Sequence, residues 1–149
     1  MQQVGTERGF VQEQYSTADR LRIRIETHAR YSRGETERLF DEGVRALALA
    51  PGLRVLDVGC GAGGWHARLA AAGARITGLD LMAVMLREAR QADASLAPPP
   101  AFVQADAQAL PLGEASVDRV LCAGVLYHVP DCARALGEMR ACCAPMAGR

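Results

Sequence analysis

Three glycines and one aspartate define the first chemistry in this chain. Gly59, Gly61 and Gly64 satisfy the spacing G-x-G-x-x-G, and Asp80 follows 21 residues after Gly59. Glycines lack the Cβ that would keep a ligand away from the backbone. A carboxylate about twenty residues further on is placed to take two ribose hydroxyls, as in a dinucleotide site. A tight strand-to-helix turn with no ligand satisfies the same spacing.

Asp57 bears on the choice, because it interrupts the apolar run 53–58 just before the glycines. A carboxylate there suits a ligand carrying an ammonium group and would repel a pyrophosphate. Asp106-Ala107 adds a polar contact suited to an adenine amino group. Ammonium, ribose and adenine together fit S-adenosylmethionine better than NAD. Other reactive side chains carry weaker signals. His128 and Tyr127 are the candidates for a general base, which methyl transfer needs only if the acceptor must lose a proton. Cys60 precedes a helix N-terminus, a setting that can lower a thiol pKa, but it reads more simply as a small filler of the loop. His66 reads as a lining or surface residue, and the Met82/Met85 stripe as core packing.

These residues need elements to position them. Run 53–58 reads as a buried strand breaking into glycines. Residues 65–72 suit a helix that Gly73 stops. Strands are expected at 75–79, 101–104 and 117–123, with helical spacing at Phe40, Val44 and Leu47, at Met82, Met85, Leu86 and Ala89, and at Cys132, Ala135, Leu136 and Met139. Pro98-Pro99-Pro100 is a stiff spacer. Strands alternating with helices imply a parallel α/β sheet with right-handed crossovers. Ligands bind such sheets beyond the carboxyl ends of the strands, and every suggestive residue lies there.

Val55-Leu56-Asp57-Val58-Gly59-Cys60-Gly61-Ala62-Gly63 resembles the first motif of class I S-adenosylmethionine-dependent methyltransferases. Ile76-Thr77-Gly78-Leu79-Asp80 resembles their second-strand motif, and Gln104-Ala105-Asp106-Ala107 with Leu110-Pro111-Leu112 the adenine-side motif. Asp118-Arg119-Val120-Leu121 and Leu126-Tyr127-His128-Val129-Pro130-Asp131 resemble the fourth strand and its loop. The likeness covers about residues 36–140. It implies a Rossmann-like sheet of order 3-2-1-4, with strands five to seven lacking, a domain at 36–149 and an N-terminal helical segment at 1–35. It further implies that Gly59, Cys60, Gly61 and Gly63 line the methionine part of the cofactor, with Asp57 nearby. Asp80 would hold the ribose, Leu81 and Met82 would flank the adenine, Asp106 and Ala107 would contact its edge, and Ala123 would offer backbone. Tyr15 or Tyr31 would close over the cofactor. The implied activity is methyl transfer to a small-molecule acceptor. The alternative is a non-catalytic cofactor-binding or interaction module that pairs through the exposed fourth-strand edge, as a homodimer or with a partner.

Composition narrows the classes. The 149 residues suit about one domain, half of them hydrophobic and 23% charged, which excludes intrinsic disorder. Seventeen basic residues balance seventeen acidic ones, so no nucleic-acid footprint is expected. Every basic residue is Arg, and Lys and Asn are absent, a pattern expected of a GC-rich gene. No run reaches the ~20 apolar residues of a membrane span. Residues 1–9 lack the apolar core of a signal peptide, and cytoplasmic location is expected. Five cysteines without a C-x-x-C pair read as thiols, with neither disulfide nor metal site. After Arg140 the chain departs from the turn usual in the family. Shifting the reading frame there restores a family-like turn, so residues from about 141 are expected to be a frameshifted remnant.

Overall fold

The computed structural model describes residues 33–145. Tyr15, Tyr31 and all but the end of the 1–35 segment lie outside the described residues. Helix α1 (Arg33–Ala46) leads into β1 (Arg54–Val58), α2 (His66–Ala71), β2 (Arg75–Asp80), α3 (Ala83–Ala92), β3 (Ala101–Gln104), β4 (Arg119–Leu121), a 3-10 turn (Leu126–His128) and α4 (Cys132–Cys142). All strand pairs are parallel, and the sheet order is β3-β2-β1-β4, as the resemblance implied.

The sheet separates two apolar clusters. On one face Val55, Leu69, Ala74 and Ile76 pack with Val44 of α1 and Trp65 ahead of α2. On the other Leu56, Val58 and Leu79 pack with Ala135, Met139 and Cys142 of α4. Successive strand side chains point to opposite faces. Val55 therefore sends Asp57 to the α2 face with it, while Leu56 and Val58 face α4. Register carries this across to β2, where Asp57 pairs with Gly78 and Val58 with Leu79.

Two expectations are corrected. β4 spans Arg119–Leu121, not 117–123. Val117 instead forms an isolated parallel bridge with Cys143, and Gly124 turns the chain out at φ +73°. Leu136 is 51% exposed and stands off the buried face of α4, which is formed by Ala135, Met139 and Cys142. Residues 141 and 142 complete α4 and put Cys142 into the core, with Cys143 as the C-cap. Among the described residues, no helix is long and apolar enough to cross a membrane.

Candidate functional site

The carboxyl ends of the strands open onto a cavity of about 250 Å³. Its size lies just below the ~300–1,000 Å³ common for small-molecule pockets. From the sequence-predicted set, the fold brings Gly59, Gly61, Asp80, Leu81, Met82, Asp106, Ala107, Tyr127 and His128 into its wall. Asp57, Cys60, Gly63 and Ala123 do not line it.

The loop after β1 explains its own glycines. Gly59 has φ +71°, and a Cβ on it would fall 2.1 Å from Val125 Cγ2. Only glycine lets the loop after β4 approach so closely. Gly61 has φ +54° and nothing within 4 Å of its Cβ position. Gly63, at φ +82°, packs its α-carbon on His66 and Asp93, whereas a Cβ on Gly64 would meet nothing. The third glycine of a dinucleotide fingerprint serves close packing; here Gly63 does so and Gly64 does not. The working pattern is thus G-x-G-x-G.

Asp80 is the best-anchored acid of the cavity. Its Oδ2 accepts from the Gly61 N–H at 2.9 Å and its Oδ1 from the Met82 N–H at 2.8 Å. Burial pushes its pKa up, and the two backbone N–H groups oppose that rise. A carboxylate has about four acceptor positions, so two remain after these bonds. Asp106 Oδ1 accepts from the backbone N–H of Gln108 at 2.9 Å and from its side-chain amide at 3.1 Å. Gln108 Oε1 in turn accepts from the Asp131 N–H at 3.0 Å, and Asp131 caps α4. Gln108 thereby ties the β3 end to the β4 loop and also lines the cavity. The sequence reading missed it, and no motif marks it; only its place two residues after Asp106, in Asx-turn position, hints at the bond.

The Tyr127 and His128 rings meet at a tilt of 53° with centroids 4.1 Å apart, and Tyr127 is 62% exposed at the rim. The acids of the wall are Asp80 and Asp106, and no Arg lines it. Such a wall suits hydroxyls, amino groups and cations, and offers no counter-charge to a pyrophosphate.

Asp57, expected to face a ligand ammonium group, places no carboxylate in the cavity wall. It is 1% exposed on the opposite face of β1, beside His66. His66 is fully buried, neither lining nor surface. Cys60 is also buried, and burial with the Asp57 and Asp80 charges pushes its thiol pKa far up, so it stays protonated. All five cysteines are free. Met85 lies in the core and reaches the cavity wall. No group of three or more metal-ligating side chains occurs among the described residues.

Residues 56–147 match the family described as "Methyltransferase domain". The chain is 38% identical over 100 residues to malonyl-acyl-carrier-protein O-methyltransferase of Pectobacterium atrosepticum, covering 65% of this chain and 38% of the relative. It is 39% identical over 99 residues to ubiquinone biosynthesis O-methyltransferase of Bordetella parapertussis, covering 62% and 38%. The solved structure of the (4+2)-cyclase SpnF superposes with a TM-score of 0.68 at 29% identity, over 72% of this chain and 41% of that one. The chain thus spans about two fifths of the length of these relatives. A matching family over more than half of the chain, joined to the sheet order and the glycine loop, makes it a member of the class I S-adenosylmethionine-dependent methyltransferases.

Proposed function

We propose that the cavity binds S-adenosylmethionine and that the protein transfers its methyl group to a small-molecule acceptor. The observation that carries this is the wall itself: two carboxylates, no arginine, and an open glycine backbone at Gly61. Gly59 and Gly61 would line the methionine end, with Asp57, Cys60 and Gly63 supporting the loop from behind and Gly124 in place of Ala123 on the far wall. Asp80, whose two backbone donors oppose the effect of burial, would accept both ribose hydroxyls with its remaining lone pairs. Leu81 and Met82 would flank the adenine, and Asp106 with Ala107 would meet its edge.

When bound, the cofactor supplies an already activated methyl group on a sulfonium. The protein's share is then mostly positioning. His128 and Tyr127 stand at the rim, where a proton leaving the acceptor could be taken up. One relative is named for a carrier-bound malonyl group and another for ubiquinone biosynthesis. Acceptors that differ this much on one shared half indicate that the acceptor is chosen largely outside it. The relatives named for methyl transfer give no preference to a purely non-catalytic module. Free thiols suit the cytoplasm.

Titration calorimetry with S-adenosylmethionine, S-adenosylhomocysteine and NAD tests the reading. The first two should bind and NAD should not. Binding of NAD alone overturns it.

A further inference from the structure

Three buried ionisable side chains meet behind the cavity wall, on the α2 face of the sheet. His66 is 0%, Asp57 1% and Asp93 5% exposed. His66 Nδ1 lies 2.5 Å from Asp93 Oδ2, and His66 Nε2 lies 3.4 Å from Asp57 Oδ2. Those last two atoms make no hydrogen bond, so Asp57 and His66 meet as an ion pair at the long limit of contact. The trio joins β1 through Asp57, the first turn of α2 through His66, and the C-cap of α3 through Asp93.

The glycine loop rests on this trio. A Cβ on Gly63 would fall 3.0 Å from His66 Nδ1 and 3.1 Å from Asp93 Oδ2. A Cβ on Gly78 would fall 2.9 Å from His66 Cε1. The imidazole therefore fills space that two glycines leave open. The loop also bonds to itself here, with the Gly63 N–H donating to Cys60 O and the His66 N–H to Gly63 O. Buried charges of this kind seldom add stability over packed apolar side chains, and their best-attested use is to fix one arrangement.

We propose that His66 is a positioning residue: as an imidazolium held between Asp57 and Asp93, it sets the shape of the 59–63 loop and so couples cofactor binding to its own protonation. The coupling rests on the cavity being the cofactor site; the loop-shaping does not. Loss of the proton leaves two buried carboxylates facing a neutral ring, and the packing under Gly63 loosens. Burial opposes the charge on His66, but the Asp57 and Asp93 carboxylates outweigh it and raise the pKa above the ordinary histidine value. The groups facing the ring are Asp57 from β1, Asp93 from α3 and Cys60 from the loop, with Asp80 beyond Cys60. From β3, Phe102 stands 5.8 Å away and carries the Arg90 guanidinium on its ring.

The test uses the whole chain and two variants, His66→Gln and Asp93→Asn. S-adenosylhomocysteine affinity is measured by calorimetry from about pH 6 to about pH 9, while NMR follows the His66 ring through the same range. The wild type should lose about tenfold or more in affinity as the His66 signal titrates. H66Q should bind about tenfold more weakly at the acid end and show no such step. Amide hydrogen exchange of residues 59–66 in the unliganded chain gives a second readout. Exchange should quicken as His66 deprotonates and lose that pH step in H66Q. An H66Q chain with wild-type affinity, pH profile and loop exchange overturns the proposal. If H66Q does not fold, D93N carries the same comparison. If the wild type does not bind S-adenosylhomocysteine, the cofactor reading fails, and hydrogen exchange alone decides whether His66 shapes the loop.

Discussion

Val125 sits directly on the α-carbon of Gly59, so closely that a Cβ there would fall 2.1 Å from its Cγ2. This contact joins the loop after β1 to the loop after β4 across the mouth of the sheet. Gly59→Ala therefore suffers twice, from the clash and from φ +71°. The expected loss is about 2–4 kcal/mol in urea unfolding. Val125→Ala in the same chain removes both γ-carbons but keeps a Cβ 3.0 Å away, so it should recover most of the steric part and leave about 1–2 kcal/mol from backbone strain and that residual contact. Full recovery, or none, contradicts the contact.

Asp80 is the acceptor for two backbone donors as well as the expected ribose ligand. Asp80→Ala removes charge-assisted bonds from both roles. Calorimetry with S-adenosylhomocysteine should show affinity reduced by about 30-fold or more. Asp106→Ala, which loses the Gln108 turn and would lose the proposed contact at the adenine edge, should cost less, about fivefold to tenfold. Equal affinity in D80A and the wild type would place the ribose elsewhere.

Core and surface leucines should separate cleanly. Leu69 is fully buried between β1 and the α1 side, while Leu136 is 51% exposed. Leu69→Ala should lower unfolding free energy by about 2–5 kcal/mol. Leu136→Ala should stay within about 0.5 kcal/mol. Similar losses at both would contradict the orientation of α4.

The stability of the chain should fall as pH rises through neutrality. Burial raises the Asp57 and Asp80 pKa values, and the two carboxylates raise that of His66 against the effect of burial. In each case the folded chain holds a proton more tightly than the unfolded one, so stability declines with rising pH. The Asp57 and Asp80 contributions are lost upward from about pH 4. That of His66 is complete below about pH 6.5 and is lost as pH climbs through its raised folded value. Cys60 adds to the decline once unfolded thiols ionise, above about pH 8.5. On the acid side, Arg54 holds Asp118 near a pKa of about 2. That exposed pair is weakened only as pH falls below about 4. Urea midpoints measured from about pH 5 to about pH 9 should fall steadily, and His66→Gln should flatten the middle of the curve. A midpoint that rises with pH contradicts the buried trio.

The strand order came from the resemblance of the motifs to the methyltransferase family, whereas the cavity acids were legible because each marks the carboxyl end of a strand: Asp80 closes β2 and Asp106 follows β3. Asp57 shows where reading stopped. Four of the five β1 residues are buried, so the strand shows no apolar alternation to say which face a polar side chain takes. Counting by two from Val55 assigns Asp57 to the α2 face once the clusters are known. His66 was opaque because its partner Asp93 lies 27 residues away. β4 was overextended because Val117 is apolar whether it joins the sheet or the Cys143 bridge. Leu136 fits helical spacing, yet Ala135, Met139 and Cys142 already fill the stripe that packs on the sheet.

A crystal structure of the chain with S-adenosylhomocysteine tests the central claim most directly. The account predicts the ligand in the cavity at the strand ends, its ribose hydroxyls on Asp80, its adenine between Met82 and Ala107, and its methionine end along Gly59 and Gly61. A ligand bound elsewhere, or one in the cavity whose ribose makes no contact with Asp80, would contradict it.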